Sequence, residues 1–299
     1  NRGGDVMKIG FVVLHYNVSE ETKSTVDSIL KNVINSQVVI VDNCSPNDSY
    51  AILDKYYSDV ENVIVIKNIS NAGYASGINL GYHYILENYS IDFIVVMNND
   101  MELTKNDFSD KILEIYAKTK FDILGPDIYS TSAKKHQNPE INPMRNLNAV
   151  ETEIMKIEKL KESQNKLRFK SFIKSFSIFE RIYYAVKSII KPSKRTSVEL
   201  VNPMLHGSFY VFSRNFISKR SYALYPKTNF YCEAQILDYE AERDGLVRIY
   251  TPEIIILHHE DVATNSISGS HAEKMNKKYN QLLQSLSIFR ELILEDLRK

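Results

Sequence analysis

Residues able to do chemistry gather in four short clusters in the first hundred positions, each directly after an apolar run. They are His15-Tyr16-Asn17, Asp42-Asn43-Cys44-Ser45, Asn71-Ala72-Gly73 and Asn98-Asn99-Asp100. Asn98 and Asp100 place an amide oxygen and a carboxylate one residue apart. Hard oxygen ligands of this kind suit Mg²⁺ or Mn²⁺ bridging a diphosphate, although an N-x-D sequence also serves as an ordinary turn. Gly73, Ala75, Ser76 and Gly77 leave little side chain where a helix should start. A bulky anion can then approach the backbone, helped by the helix dipole. Close helix–sheet packing would favour the same small residues. Asp42, Asn17 and Asn71 are residue types that cap helices as readily as they hold ligands. No G-x-G-x-x-G follows the first apolar run and no G-x-x-x-x-G-K-[ST] is present, which speaks against nicotinamide-type dinucleotide binding and P-loop chemistry.

The elements that must position these clusters are legible in the hydropathy pattern. Residues 8–14, 38–41, 63–66 and 91–97 are continuous apolar runs, as expected of strands buried on both faces. Between them lie a helix predicted to be capped by Ser19, a second over about 48–57, and a third opening at the 71–74 turn and running to about 88. Alternation of this kind predicts right-handed βαβ units and an α/β fold with a mostly parallel, Rossmann-like sheet flanked by helices. Ligands in such sheets bind beyond the carboxyl ends of the strands. All four clusters belong there, which points to a nucleotide site.

Beyond Gly125-Pro126 the composition shifts. Residues 130–148 read as a polar loop, and 149–190 as helical and increasingly basic. Strands are expected at 209–212, 247–250 and 254–257, and a closing amphipathic helix over 272–297. The expected divisions are a nucleotide-binding half (7–125), a loop and basic helical insert (126–200), a second strand-bearing half (201–270) and a C-terminal helix (271–299), with 1–6 an appended remnant. The whole is expected to form one domain.

The chain of 299 residues is 43% hydrophobic and 25% charged, with ten Gly and eight Pro. This is ordinary globular composition, which excludes disordered and collagen-like classes. Thirty-seven basic residues balance thirty-seven acidic ones, so no global field draws the protein to nucleic acid. Two cysteines, Cys44 and Cys232, in no metal-ligand spacing, suggest a reducing compartment and no disulfide framework. With no bilayer-length apolar run, the expectation is a cytoplasmic protein. From Lys166 to Arg195 there are nine Lys/Arg and a single acid, Glu180, with Phe169, Phe172, Phe176, Phe179 and Tyr183 interleaved. Two readings stay open: a helix lying peripherally on the anionic inner face of a membrane, or one packing its apolar stripe on the domain.

The series VVLHYN, VDNCS, NAGYASGINLGY and VVMNND resembles the donor-binding half of family 2 glycosyltransferases, which have the GT-A fold and use sugar nucleotides. The resemblance continues through LHGSFYVFSRNFI (205–217), FYCEAQILDYEAERDG (230–245) and TPEIIILHHED (251–261), leaving out about 130–200. It implies that Asp42 meets the donor's base beside Tyr16 and Asn17, with Asn43, Asn71, Gly73, Asn79 and Asn99 lining or supporting the nucleotide. Asp100 and His258 would hold Mn²⁺ or Mg²⁺, with Asn98 where many relatives carry a first Asp; His259 is the weaker candidate of the histidine pair. His206 and Gly207 would face the acceptor. Glu233 would act as general base, removing the proton of an acceptor hydroxyl during one inverting displacement. Ala234 and Ile236 stand where relatives carry further acids, which leaves Asp238 and Glu240 as fallback bases. The resemblance implies transfer from a UDP- or dTDP-sugar to a glycan or lipid-linked acceptor in capsule or surface-polysaccharide synthesis. The alternative is a catalytically reduced member that binds sugar nucleotide or a partner enzyme.

Overall fold

Seven consecutive buried residues, Ile9–His15, form β1, and the β-branched run within Ser36–Asp42 forms β2 beside it. A computed structural model describes residues 7–140, 143–171, 195–260 and 271–299. The expected remnant at 1–6 and the basic stretch from Lys166 lie outside the described residues, apart from the helical backbone of 166–171 and from Arg195. Strands β3 (Val63–Lys67) and β4 (Phe93–Asn98) complete a parallel unit in the order β3-β2-β1-β4. Alternate residues point to opposite faces. Phe11, Val13, Val38, Ile40 and Val95 pack beneath α1 (Ser19–Asn32), α2 (Ser49–Tyr56) and α4 (Phe108–Thr119). Val12, Leu14, Val39, Val41 and Val96 pack beneath α3 (Tyr74–Asn88). Each buried side chain of this size contributes about 1.5–3 kcal/mol, so the sheet's two faces supply most of the driving force.

The start of α1 differs from expectation. Val18 occupies the cap position with no side-chain cap, and Ser19 is already helical. Asn17, at φ 66°, turns the chain sharply and gives its N–H to Ser45 Oγ. The acids Glu20 and Glu21 favour the helix N-terminus electrostatically instead.

Beyond β4 the sheet becomes mixed. It continues through β5 (Met101–Leu103), β6 (Ile123–Ser130), β7 (Lys135–His136), β8 (Leu200–Val201), β9 (Phe209–Ser213) and β10 (Arg248–His258). The main order is β3-β2-β1-β4-β9-β6-β10-β5, with β9 antiparallel to both β4 and β6. The expected strands at 247–250 and 254–257 are one strand, β10, interrupted by a register shift between Thr251 and Ile255. The expected boundary at 125 falls inside β6, and the expected polar loop at 130–148 contains β7 and a bridge from Glu140 to Met204. Among the described residues the remaining helices are α5 (Leu147–Ser171), α6 (Arg214–Lys219), α7 (Glu233–Arg243) and α8 (His271–Leu297). Helices α5, α7 and α8 share an apolar cluster of Val150, Ile157, Ile236, Leu286, Phe289 and Ile293.

Candidate active site

The carboxyl ends of β1, β2 and β4 lie side by side: His15 is in register with Asp42, and Leu14 with Asn98. Asp42 is fully buried. Its carboxylate accepts from the Ser45 N–H at 3.2 Å and sits 3.8 Å from His15 Nε2. His15 in turn is held by Thr22 Oγ1 (2.6 Å) and Ser49 Oγ (2.8 Å), and burial, opposed by Asp42, lowers its pKa to about 4. The pair is thus a neutral imidazole beside a carboxylate that orders the 42–45 turn. Tyr16 is half-buried. Asn17, in the left-handed region, keeps a buried side-chain oxygen without a partner.

The asparagines divide into two kinds. Asn43 donates to Asn71 Oδ1 (3.2 Å) and to the Gly73 carbonyl (3.1 Å), and accepts from Asn68, so it ties the second and third clusters together. Asn71 is exposed beside it. Asn79 and Asn99, by contrast, are held by protein. Asn79 donates to the Leu224 carbonyl and accepts from the Ala223 and Leu224 N–H groups. Asn99 donates to Thr22 Oγ1, while its carbonyl accepts from Thr25. Both side chains are nearly fully buried, so they brace the neighbouring backbone and do not offer a free amide to a ligand.

Gly73 has φ 101°, and a Cβ there would lie 1.6 Å from the carbonyl oxygen of Asn229. Glycine is required by both conformation and space. The contact matters because the next residue, Tyr74, donates its N–H to that same Asn229 carbonyl at 2.8 Å and its hydroxyl to the Gly207 carbonyl at 3.1 Å. The turn before α3 is thereby latched to the loop that carries Glu233. Burial, then the charges of Glu233 and Asp100, push the Tyr74 phenol far above its ordinary pKa. It stays a neutral donor between the two carboxylates.

Of the proposed metal ligands, Asp100 and His258 meet: His258 Nε2 is 3.3 Å from Asp100 Oδ1. That oxygen is buried and has no hydrogen-bond partner. The other imidazole nitrogen, Nδ1, lies 2.7 Å from Gln137 Oε1. An orphaned carboxylate oxygen facing a free imidazole nitrogen fits a divalent cation of the Mn²⁺ kind, which tolerates mixed oxygen and nitrogen ligands. Among the described residues no group of three His, Cys, Asp or Glu forms a self-sufficient metal cage, so the pair would be an open site. Asn98 lines the adjacent cavity instead of contacting this pair. His259 is engaged by Glu102 (2.7 Å) and Thr131 (3.2 Å).

A cavity of about 1040 Å³ opens beside the pair, walled by Tyr74, Asn98, His206, Gly207 and Glu233, with Glu153 and Lys156 of α5 and Leu282 and Leu286 of α8 opposite. Glu233 is the first residue of α7, presented by Tyr231 and Cys232, both at positive φ (70° and 68°). Two successive non-glycine residues in the left-handed region persist only where surroundings hold them; Cys232 is buried in the α5–α7–α8 cluster. Glu233 is 9% exposed, and its Oε1 has no partner. Burial raises its pKa to about 7, against a smaller opposing backbone hydrogen bond. His206, which also lines the cavity, is held neutral: burial, then the neighbouring His258, lower its pKa to about 4.

The fallback bases are placed elsewhere. Asp238 pairs with Arg145 at 2.7 Å and with Arg248 at 3.4 Å. Glu240 pairs with Arg220 and accepts from Tyr222 at 2.7 Å. Both are buried structural ion pairs outside the cavity lining, so neither is free to take a proton. Sequence reasoning missed Tyr74 and Gln137 as site residues; only their final spatial neighbours mark them.

A mixed sheet with a nucleotide-type edge and a late acid facing it defines a GT-A glycosyltransferase fold. Residues 11–185 match glycosyl transferase family 2, and the chain belongs to that family. Agl10, a hexosyltransferase of low-salt glycan biosynthesis from Haloferax volcanii, is 25% identical over 120 residues, 40% of this chain. The match spans only 36% of that relative's length. Among solved structures, GalNAc-T7 with UDP, GalNAc and Mn²⁺ superposes with TM-score 0.56 at 12% identity, covering 92% of this chain and 48% of that one. S. aureus TarS 1–349 gives 0.52 at 12% identity, over 92% and 71%. The mannosyltransferase PcManGT from Pyrobaculum calidifontis, in complex with GDP-Man and Mn²⁺, gives 0.51 at 10% identity, over 96% and 74%. Likeness at these identities establishes the fold. No helix among the described residues is long and apolar enough to cross a membrane.

Proposed function

We propose that the chain is an inverting, metal-dependent hexosyltransferase that moves a sugar from a UDP- or dTDP-sugar to a hydroxyl of a glycan acceptor. The observation that carries this reading is Glu233: a buried carboxylate with an unpartnered oxygen and a pKa of about 7, lining the same cavity as Asn98 and His206, which adjoin the Asp100–His258 pair. A base poised near neutral pH accepts a hydroxyl proton without being permanently protonated. Neutral Tyr74 and His206 can orient the acceptor without adding charge. The divalent ion held by Asp100 and His258 would stabilise the nucleoside diphosphate as it leaves. Tyr16, Asn17, Asn43, Asn71 and Gly73 would border the nucleotide, with Asp42 shaping the turn at the base. Gly207 and His206 would face the acceptor, and surface-polysaccharide synthesis is the setting the family resemblance supplies.

Two measurements test this. A thermal-shift panel of UDP-, dTDP-, GDP- and CDP-sugars with Mn²⁺ should give its largest shifts with UDP or dTDP compounds, since binding to the folded state raises stability by mass action. A response to GDP compounds alone overturns the donor assignment. In transfer or donor-hydrolysis assays, Glu233→Ala should lose turnover while still binding nucleotide; unchanged turnover removes Glu233 as base.

A further inference from the structure

The imidazole of His258 is gripped from behind by groups that have no other evident task. Gln137, just after β7, places Oε1 2.7 Å from His258 Nδ1 and donates Nε2–H to Glu260 Oε1 at 2.6 Å. The second carboxylate oxygen of Glu260 accepts from Ser130 Oγ, and Ser132 Oγ approaches it at 3.4 Å. Ser130 Oγ accepts the Ala133 N–H at 3.0 Å and gives its own proton to Glu260, whose carboxylate can only accept. Ser130 stands opposite His258 in the β6–β10 pairing, and the Gln137 N–H is fixed to the Ile128 carbonyl.

The donor–acceptor logic runs one way. A carboxylate only accepts, so Glu260 compels the Gln137 amide to present its NH₂ to Glu260 and its oxygen to His258. Facing a carbonyl oxygen, His258 Nδ1 must carry the proton. Nε2 is then the bare nitrogen, and it is the atom 3.3 Å from Asp100 Oδ1. With the amide reversed, two acceptors would meet at 2.6 Å. Outer partners of this kind fix the tautomer and orientation of a ligating histidine.

We propose that Glu260 and Gln137 are positioning residues that set the His258 tautomer and thereby the affinity for a divalent ion. The inference rests on the reading of Asp100 and His258 as the metal pair. Neither residue touches substrate; they act through the imidazole. Glu260→Gln is the informative change, because it keeps the shape and lets the Gln137 amide adopt either orientation.

The test measures Mn²⁺ binding in the presence of UDP, by titration calorimetry or by the loss of the free-ion paramagnetic resonance signal. Alongside it, ¹⁵N spectra of histidine-labelled protein read the His258 tautomer without metal. E260Q should bind Mn²⁺ about 10–100-fold more weakly and show His258 as a tautomer mixture, where wild type shows Nδ1–H alone. Gln137→Leu should have the same two effects. Melting temperature and metal-free UDP binding control for misfolding. Mn²⁺ affinity within twofold of wild type, or a single unaltered tautomer in E260Q, overturns the relay while leaving the metal pair standing. Wild-type protein that takes up no Mn²⁺ with UDP overturns the metal pair and this proposal together.

Discussion

Replacing Glu233 with glutamine should make the protein more stable as it removes activity, and the size of the gain should depend on pH in a calculable way. Burial lifts the carboxyl from an ordinary 4.5 to about 7. Below 4.5 the group is protonated in both folded and unfolded chains and contributes no pH dependence. Between 4.5 and 7 the folded chain holds a proton that the unfolded chain has released, so wild-type stability falls as pH rises. At about 1.4 kcal/mol per tenfold, the accumulated cost above pH 7 is about 3 kcal/mol. The amide of Glu233→Gln does not titrate, so the stability difference between variant and wild type should widen by about 3 kcal/mol between pH 4.5 and 7.5. For a chain of this size that is about 6 °C in melting temperature. His15 and His206, buried neutral, contribute in the opposite sense: their stability is present above 6.5 and is lost as pH falls towards 4. They occur in both proteins, so the difference between the two melting curves isolates Glu233. Scanning calorimetry from pH 4.5 to 8.5 on the matched pair is the assay. A melting-temperature difference that stays flat across that range refutes the raised pKa, and with it the argument for a base poised near neutrality. Wild-type turnover should rise with pH to a plateau, with its acid limb centred near 7 and no limb from His206.

Gly73→Ala forces a Cβ against the Asn229 carbonyl at a φ that only glycine adopts freely; urea unfolding should show a loss of more than ~2 kcal/mol. Asp100→Asn should leave the melting temperature near that of wild type while weakening Mn²⁺ binding with UDP at least tenfold, read by calorimetry. Glu240→Gln should cost about 3 kcal/mol or more by uncovering the buried Arg220 charge, yet leave kcat unchanged at temperatures where it stays folded. A fall in kcat at full folding would instead restore Glu240 as a catalytic candidate.

The first four strands were readable because a parallel strand covered on both faces must be apolar throughout. Strand β6 was hidden by Gly125-Pro126 in its middle. The proline is tolerated because pairing with β9 ends at Leu124, so no ladder partner on that side needs its missing N–H. Strand β10 was read as two because the chain bulges around Pro252 and Glu253 before pairing resumes. The candidate site was legible only as residue types. Asn43 and Asn79 look alike in sequence, but one ties together the turns after β2 and β3 and the other is saturated by the backbone of residues 223–224. Nothing local distinguishes Gln137 or Glu260, whose meaning comes from an encounter across more than a hundred positions.

Wedging β9 between β4 and β6 has a consequence for how the molecule comes into being. A ribosome delivers β1 to β6 long before Phe209 emerges, so the growing chain must carry two bare ladder edges until the keystone arrives. Closing such a gap late demands distant segments find each other, which slows maturation and exposes sticky rims meanwhile. A fragment halted at residue 125 would keep one of those rims permanently open, making the first half a poor stand-alone module despite its self-contained appearance.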